Sequence, residues 1–182
     1  MEENRMEHSG DHPKTGRNFT AIDLGPLSGL ARFKFRPPGI DREAEGKVFL
    51  NQLLGLTSAE ISVNKMPPGA SMPFYHKHRL NEEIYIFIKG KGEFQIDDKV
   101  FPVCEGSVVR VAPDGERCWR NNSEEDLYFL VIQARAGTYE GKMTQDGVGV
   151  RKRVSWVGKE PAEPPAEADR GRHPGFPHFN VL

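Results

Sequence analysis

Short apolar, β-branched and aromatic runs, each closed by turn residues, constrain this chain more than any other feature. They are Glu60–Met66, Glu83–Lys89, Gly92–Asp97, Val100–Val103, Ser107–Ala112 and Leu127–Ala134. The turn signals between them fall at the roughly 8–12-residue spacing of sandwiches and barrels. Met66-Pro67-Pro68-Gly69 and Ala112-Pro113-Asp114-Gly115 read as turns, because proline pre-sets φ and glycine accepts positive φ. A tight turn at Asp97-Asp98 would join Phe94–Ile96 to Val100–Phe101. The expectation is an all-β body over residues 19–157. One short N-terminal helix is expected over Gly46–Leu56. There Val48, Phe49, Leu50, Leu53, Leu54 and Leu56 recur near helical spacing and Gly55 marks the end.

Residues 1–18 and 158–182 read as tails. The first is polar and charged; the second carries Pro161, Pro164, Pro165, Pro174 and Pro177, which forbid regular ladders. Phe176 and Phe179 offer the second tail a means of docking, although a solvated tail is the simpler reading. A chain of 182 residues with 37% hydrophobic content supports one domain with a core. Its formal net charge of −1 gives no electrostatic support for binding nucleic acid or anionic membranes. No run approaches the roughly 18–20 apolar residues of a bilayer span. The polar N-terminus does not resemble a secretory signal, so a cytoplasmic location is expected. Cys104 and Cys118 form no disulfide framework, and reduced thiols are expected.

The run Glu83–Lys89 is apolar on both faces. Glu83, Tyr85 and Phe87 share one face, and Ile84, Ile86 and Ile88 share the other. If Glu83 faces inward, the isoleucine row needs a cover. That cover would be the N-terminal segment or the partner of a homodimer.

Just upstream, His76 and His78 stand two residues apart, followed by Glu82 and Glu83. Extended backbone puts i and i+2 on one face. Two imidazoles so placed can grip one metal ion, with a carboxylate completing a facial set of three. Glu83 is the favoured carboxylate because it shares a face with Tyr85 and Phe87; Glu82 would then be a solvated turn residue. The remaining histidines, His8, His12, His173 and His178, lie in the tails.

Gly69, His76, His78, Glu83 and Gly90 resemble the first motif of the cupin superfamily, with one residue more than the family pattern between Gly69 and His76. Gly106, Pro113, Gly115 and Asn122 resemble its second motif, again with one extra residue, between Gly106 and Pro113. The resemblance covers roughly residues 58–134. It implies a cupin jelly-roll β-barrel of the cupin 2-like type, holding one divalent transition metal (iron, zinc, nickel or manganese). His76, His78 and Glu83 would be its ligands. The family's fourth ligand is a histidine at a position that this alignment gives to Cys118. A thiolate there could close the site, an inert thiol could merely fill space, or the thiol could be redox-active. By alternation, an inward Cys118 would put Glu116 and Arg120 on its side and turn Trp119 away. Arg120 could then clamp a substrate carboxylate. Tyr85 and Gln133 are further candidates for contact with a small-molecule ligand in the cavity.

Three functions fit these residues. The first is a metalloenzyme acting on a small polar molecule. Dioxygenase-type oxidation is its first choice of reaction, since a facial triad leaves room for O2 and substrate; isomerisation and decarboxylation also run on this fold. The second is a non-catalytic binding or sensing module, and the third a barrel that a metal only stabilises. Neither tail has the basic helix pair of a DNA-binding regulator.

Overall fold

The structure is a computed structural model that describes residues 13–36, 43–141 and 146–162. Four short strands open the chain: β1 (Lys14–Gly16), β2 (Phe19–Ala21), β3 (Lys34–Phe35) and β4 (Ala44–Glu45). They pair as two antiparallel ribbons, β1 with β2 and β3 with β4. Strand β1 falls inside the segment expected as a tail, whose residues 1–12 lie outside the described residues. Then follow β5 (Lys47–Phe49), α1 (Leu50–Leu54), β6 (Glu60–Met66), β7 (Asn81–Lys89), β8 (Lys91–Ile96) and β9 (Lys99–Cys104). The last three strands are β10 (Val108–Val111), β11 (Arg117–Arg120) and β12 (Leu127–Arg135). A five-stranded sheet of order β10-β7-β12-β6-β5 faces a three-stranded sheet of order β11-β8-β9. Every pairing is antiparallel.

The helix expected over Gly46–Leu56 is mostly absent. Residues 47–49 form β5, with Val48 opposite Val63 on β6, and only Leu50–Leu54 is helical. Val48 is fully buried by this pairing, while Lys47 and Phe49 take the other face. An open sheet edge and a period-two pattern outweigh the weak helical signal of a β-branched and an aromatic residue. Gly55 ends the helix in the left-handed region (φ 66), as a C-terminal glycine does.

Two apolar clusters hold the body together. The inner one lies between the sheets and joins Tyr85, Phe87, Val109 and Phe129 of the large sheet to Phe94, Val103 and Trp119 of the small one. The outer one sets Leu30, Phe33 and Val48 against Val63 and Tyr128, with Ile88 and Leu130 packed on it. The N-terminal segment therefore covers the Ile88 end of the isoleucine row. Ile84 and Ile86 stay half-buried outside that cluster.

The β7–β8 link is tight. Gly90 sits at φ +92, and a Cβ there would meet the Asp126 carbonyl at 2.4 Å. The expected Asp97-Asp98 turn joins β8 to β9, and Asp97 Oδ1 accepts a hydrogen bond from the Glu116 amide at 3.0 Å. Beyond β12, residues 146–162 contain no strand or helix and are exposed. Phe176 and Phe179 lie outside the described residues. No helix among the described residues is long and apolar enough to cross a membrane.

Candidate metal centre

Glu83 begins the inward row of β7, at one end of the space between the sheets. His76 and His78 reach it from the stretch between β6 and β7. His76 exchanges backbone hydrogen bonds with Arg117 on β11 (3.2 and 3.1 Å), and the His78 amide donates to the Pro113 carbonyl at 3.0 Å. These bonds fix an extended local backbone, and both rings meet Glu83. The rings stand nearly perpendicular (86°), with centroids 5.6 Å apart. The His76 ring also packs edge-on against Trp119.

His78 Nε2 lies 3.0 Å from Glu83 Oε1, and His76 Nε2 lies 3.6 Å from Oε2. One ligand atom from each of the three residues lies within 4.8 Å of the others. The imidazoles are about one-quarter exposed and the Glu83 side chain is 3% exposed, so the centre is reached from solvent past the histidines. Glu82 points to the other face of β7 and binds Arg110 (Nε to Oε2, 2.7 Å).

Sequence reasoning missed Arg117. It is fully buried, and its Nε and Nη2 donate to Glu83 Oε2 at 3.0 and 2.7 Å while Nη1 donates to the Gly115 carbonyl. The Tyr85 hydroxyl adds a third donor to the same oxygen at 2.5 Å. Burial by itself would push the Glu83 carboxyl up. The contacts with His76, His78, Tyr85 and Arg117 outweigh it and hold the group well below the usual carboxylate range. Burial, the Glu83 charge and the bond to it push the Tyr85 hydroxyl up, so it stays protonated and donating.

The signal for Arg117 lay in the second motif. The buried asparagine is Asn121 and not Asn122: Asn121 is 1% exposed and donates to the carbonyls of Met66 and Glu125. That moves the motif back by one residue and gives the family's fourth-ligand position to Arg117. Cys118 is thereby corrected. It lies on the opposite face of β11, with its thiol 3.9 Å from Gln95 Oε1, and is not part of the three-residue group. The inward residues of β11 are Arg117 and the expected outward Trp119, because burying the indole against Phe94 and Tyr85 fixes the strand's face. Arg120 shares the Cys118 face, is exposed, and pairs with Glu93 (Nε to Oε2, 2.7 Å), so it clamps nothing in the barrel. A cleft of about 400 Å³ beside Cys118 and Arg120 includes none of the three candidate ligands. Tyr85 is fully buried and reaches a ligand only through Glu83. Gln133 stands opposite Glu83 in register, half-buried on the inward face of β12.

The donor set fits one divalent cation. His78 Nε2 is buried with no hydrogen-bond partner: its 3.0 Å approach to Oε1 is not aligned as a hydrogen bond. Oε2 is saturated by three donors, which leaves Oε1 and two imidazole nitrogens for an ion. Two imidazoles and one carboxylate make a three-ligand set with open positions. The Arg117 charge makes the set electrically neutral together with Glu83, which lowers the affinity expected for a cation.

A family model described as a cupin domain matches residues 62–133. A cupin protein from Bacteroides fragilis is 40% identical over 64% of this chain and 97% of its own, with a TM-score of 0.55. The chain belongs to the cupin superfamily, as a cupin 2-like conserved-barrel protein with the jelly-roll fold. A putative sugar phosphate isomerase from Acidithiobacillus ferrooxidans is 26% identical over 50% of this chain and 60% of its own (TM-score 0.47). A predicted oxalate decarboxylase from Thermotoga maritima is 24% identical over 62% of this chain and 99% of its own (TM-score 0.48). No functionally curated protein matches the chain significantly.

Proposed function

We propose that this cupin holds one divalent transition metal on His76, His78 and Glu83 Oε1 and acts on a small polar substrate, with dioxygenase-type oxidation as the reaction. The observation that supports this best is the buried, unpartnered His78 Nε2 beside a carboxylate oxygen that no donor has claimed. Buried polar atoms normally have partners, and an ion supplies the missing one. When bound, such a metal contributes Lewis-acid polarisation of a substrate oxygen and, if redox-active, the electrons of O2 chemistry. The chain's own residues do the positioning. Arg117 and Tyr85 anchor Oε2 and so hold the carboxylate plane in place. The bridge between His76 and Arg117 fixes one imidazole, and the Pro113 carbonyl fixes the backbone of the other. Trp119 and Phe94 wall off the aromatic interior behind them. The half-buried Ile84 and Ile86, next to the exposed Val108, support a homodimer.

One observation favours a second reading, a non-catalytic small-ligand module. Arg117 already neutralises Glu83, so the barrel is charge-balanced without an ion. O2 uptake by the iron-reconstituted protein with a panel of small organic acids separates the two. The first reading expects uptake with at least one acid, abolished in His76→Ala and His78→Ala. Ligand binding with no uptake supports the second.

A further inference from the structure

A second polar group lies on the inner face of the large sheet. Register sets Glu83, Gln133 and Glu60 side by side on β7, β12 and β6. Lys47, on β5, takes the same face opposite Asn64. The Lys47 ammonium sits over the Phe49 ring at 4.7 Å and the Phe35 ring at 5.7 Å. No carboxylate among the described residues comes within ion-pair distance of it. Burial pushes Lys47 down, and the charges of Glu83 and Glu60 act against that shift. Glu60 Oε1 is buried with no hydrogen-bond partner. The neighbouring Asn64 is already engaged, donating to the Ser62 carbonyl, the Ser62 hydroxyl and the Phe129 carbonyl.

Among the described residues the Lys47 ammonium thus has no acceptor and the buried Glu60 oxygen no donor, on neighbouring strands beside the candidate metal centre. Both deficits are costly unless something fills them. A molecule that supplies one anionic acceptor and one hydroxyl donor satisfies both at once. Lys47, Glu60 and Gln133 are each only partly buried, so solvent and solutes reach them.

We propose that Lys47, Glu60 and Gln133 form a substrate subsite for a small hydroxy acid. Its carboxylate sits on Lys47 Nζ and the Gln133 amide, and its hydroxyl donates to Glu60 Oε1. The subsite deepens the function proposed above, resting on it for the chemistry but not for the binding.

Calorimetric titration tests this. The probes are malate, lactate and tartrate, each beside its deoxy analogue (succinate for malate and tartrate, propionate for lactate). Each is titrated into metal-loaded and chelator-stripped protein. At least one hydroxy acid binds the wild type, and more tightly than its analogue. Lys47→Met weakens that acid by at least about tenfold, the loss expected for a charge-assisted hydrogen bond, whereas Lys47→Arg stays within about threefold. Glu60→Leu removes the preference for the hydroxy acid over its analogue. Circular dichroism melts confirm that each variant is folded, and Lys47→Arg keeps the test sharp if Lys47→Met is not. The proposal is overturned if no hydroxy acid binds, or if folded Lys47→Met binds as the wild type does. A Lys47 effect that persists in protein unable to hold metal leaves the subsite standing and sinks the metal reading alone.

Discussion

The two ends of the barrel interior are built from the same strands and solve opposite problems. Along β7 the inward row runs Glu83, Tyr85, Phe87, from charge to hydrocarbon within one strand. At the apolar end, Phe87, Phe94, Trp119 and Phe129 fill the space with ring contacts, and the buried Trp119 Nε1 has no hydrogen-bond partner among the described residues. At the polar end Glu83 is almost as deeply buried, and it persists as a carboxylate because His76, His78, Tyr85 and Arg117 surround it, with three donors converging on one of its oxygens. Packing gives the first end its shape without direction. Pairing gives the second a direction: Oε2 is tied, so Oε1 faces the imidazoles. The candidate metal centre lies at this second end, where His78 Nε2 stands 3.0 Å from Oε1.

Removing Arg117 tests this contrast most severely. Arg117→Met leaves a buried carboxylate uncompensated, and chemical denaturation is expected to show a loss of about 3–5 kcal/mol. Adding Glu83→Gln to that variant restores much of the loss, because the unpaired charge goes with it. If the single variant proves as stable as the wild type, the polar end is not held by charge pairing. Tyr85 lies at the junction of the two ends. Tyr85→Phe keeps the ring packing on Phe94 and Trp119 and deletes one bond to a charged oxygen, for a loss of about 1.5–3 kcal/mol.

The smallest effect concerns Glu60. Burial raises its folded carboxyl above the ordinary value of 4.5, and the Lys47 charge only partly opposes this. The folded state therefore holds its proton to higher pH than the unfolded one. Stability falls as pH rises from about 4.5 through the raised value. Glu60→Gln removes that loss. Thermal melts should coincide with wild type near pH 4 and favour the variant at pH 7, by less than about 1 kcal/mol because the side chain is half-exposed. A variant less stable than wild type at pH 7 would mean that Lys47 outweighs burial.

Much of this architecture was legible from residues alone. The His76, His78 and Glu83 set, the strands carrying the inner core and the Asp97-Asp98 turn followed from spacing and alternation. The turn residues and β-branched runs there agree with the tertiary structure. Two features were not legible. At Lys47–Phe49 a local helical pattern met an open edge of β6, and only the paired strand decides between them. At β11 a one-residue extension in the motif hid the face of the strand. Cys118 drew attention as a metal-binding side chain, yet Trp119 is the larger apolar group, and its burial sets which residues face inward. The exposed Arg120 and buried Arg117 follow from that single choice of face. Lys47 and Glu60 lie on neighbouring strands joined through α1, and no local motif announces that they share a face.

Elemental analysis of protein purified without affinity tag or chelator tests the central claim most directly. Wild type, Cys118→Ala and His78→Ala are compared after equilibration with iron, zinc, nickel and manganese. Near-stoichiometric retention of one of these metals in the first two, with loss from a folded His78→Ala, is the predicted result. A wild type that stays empty, or an ion that depends on Cys118 and ignores His78, would contradict it.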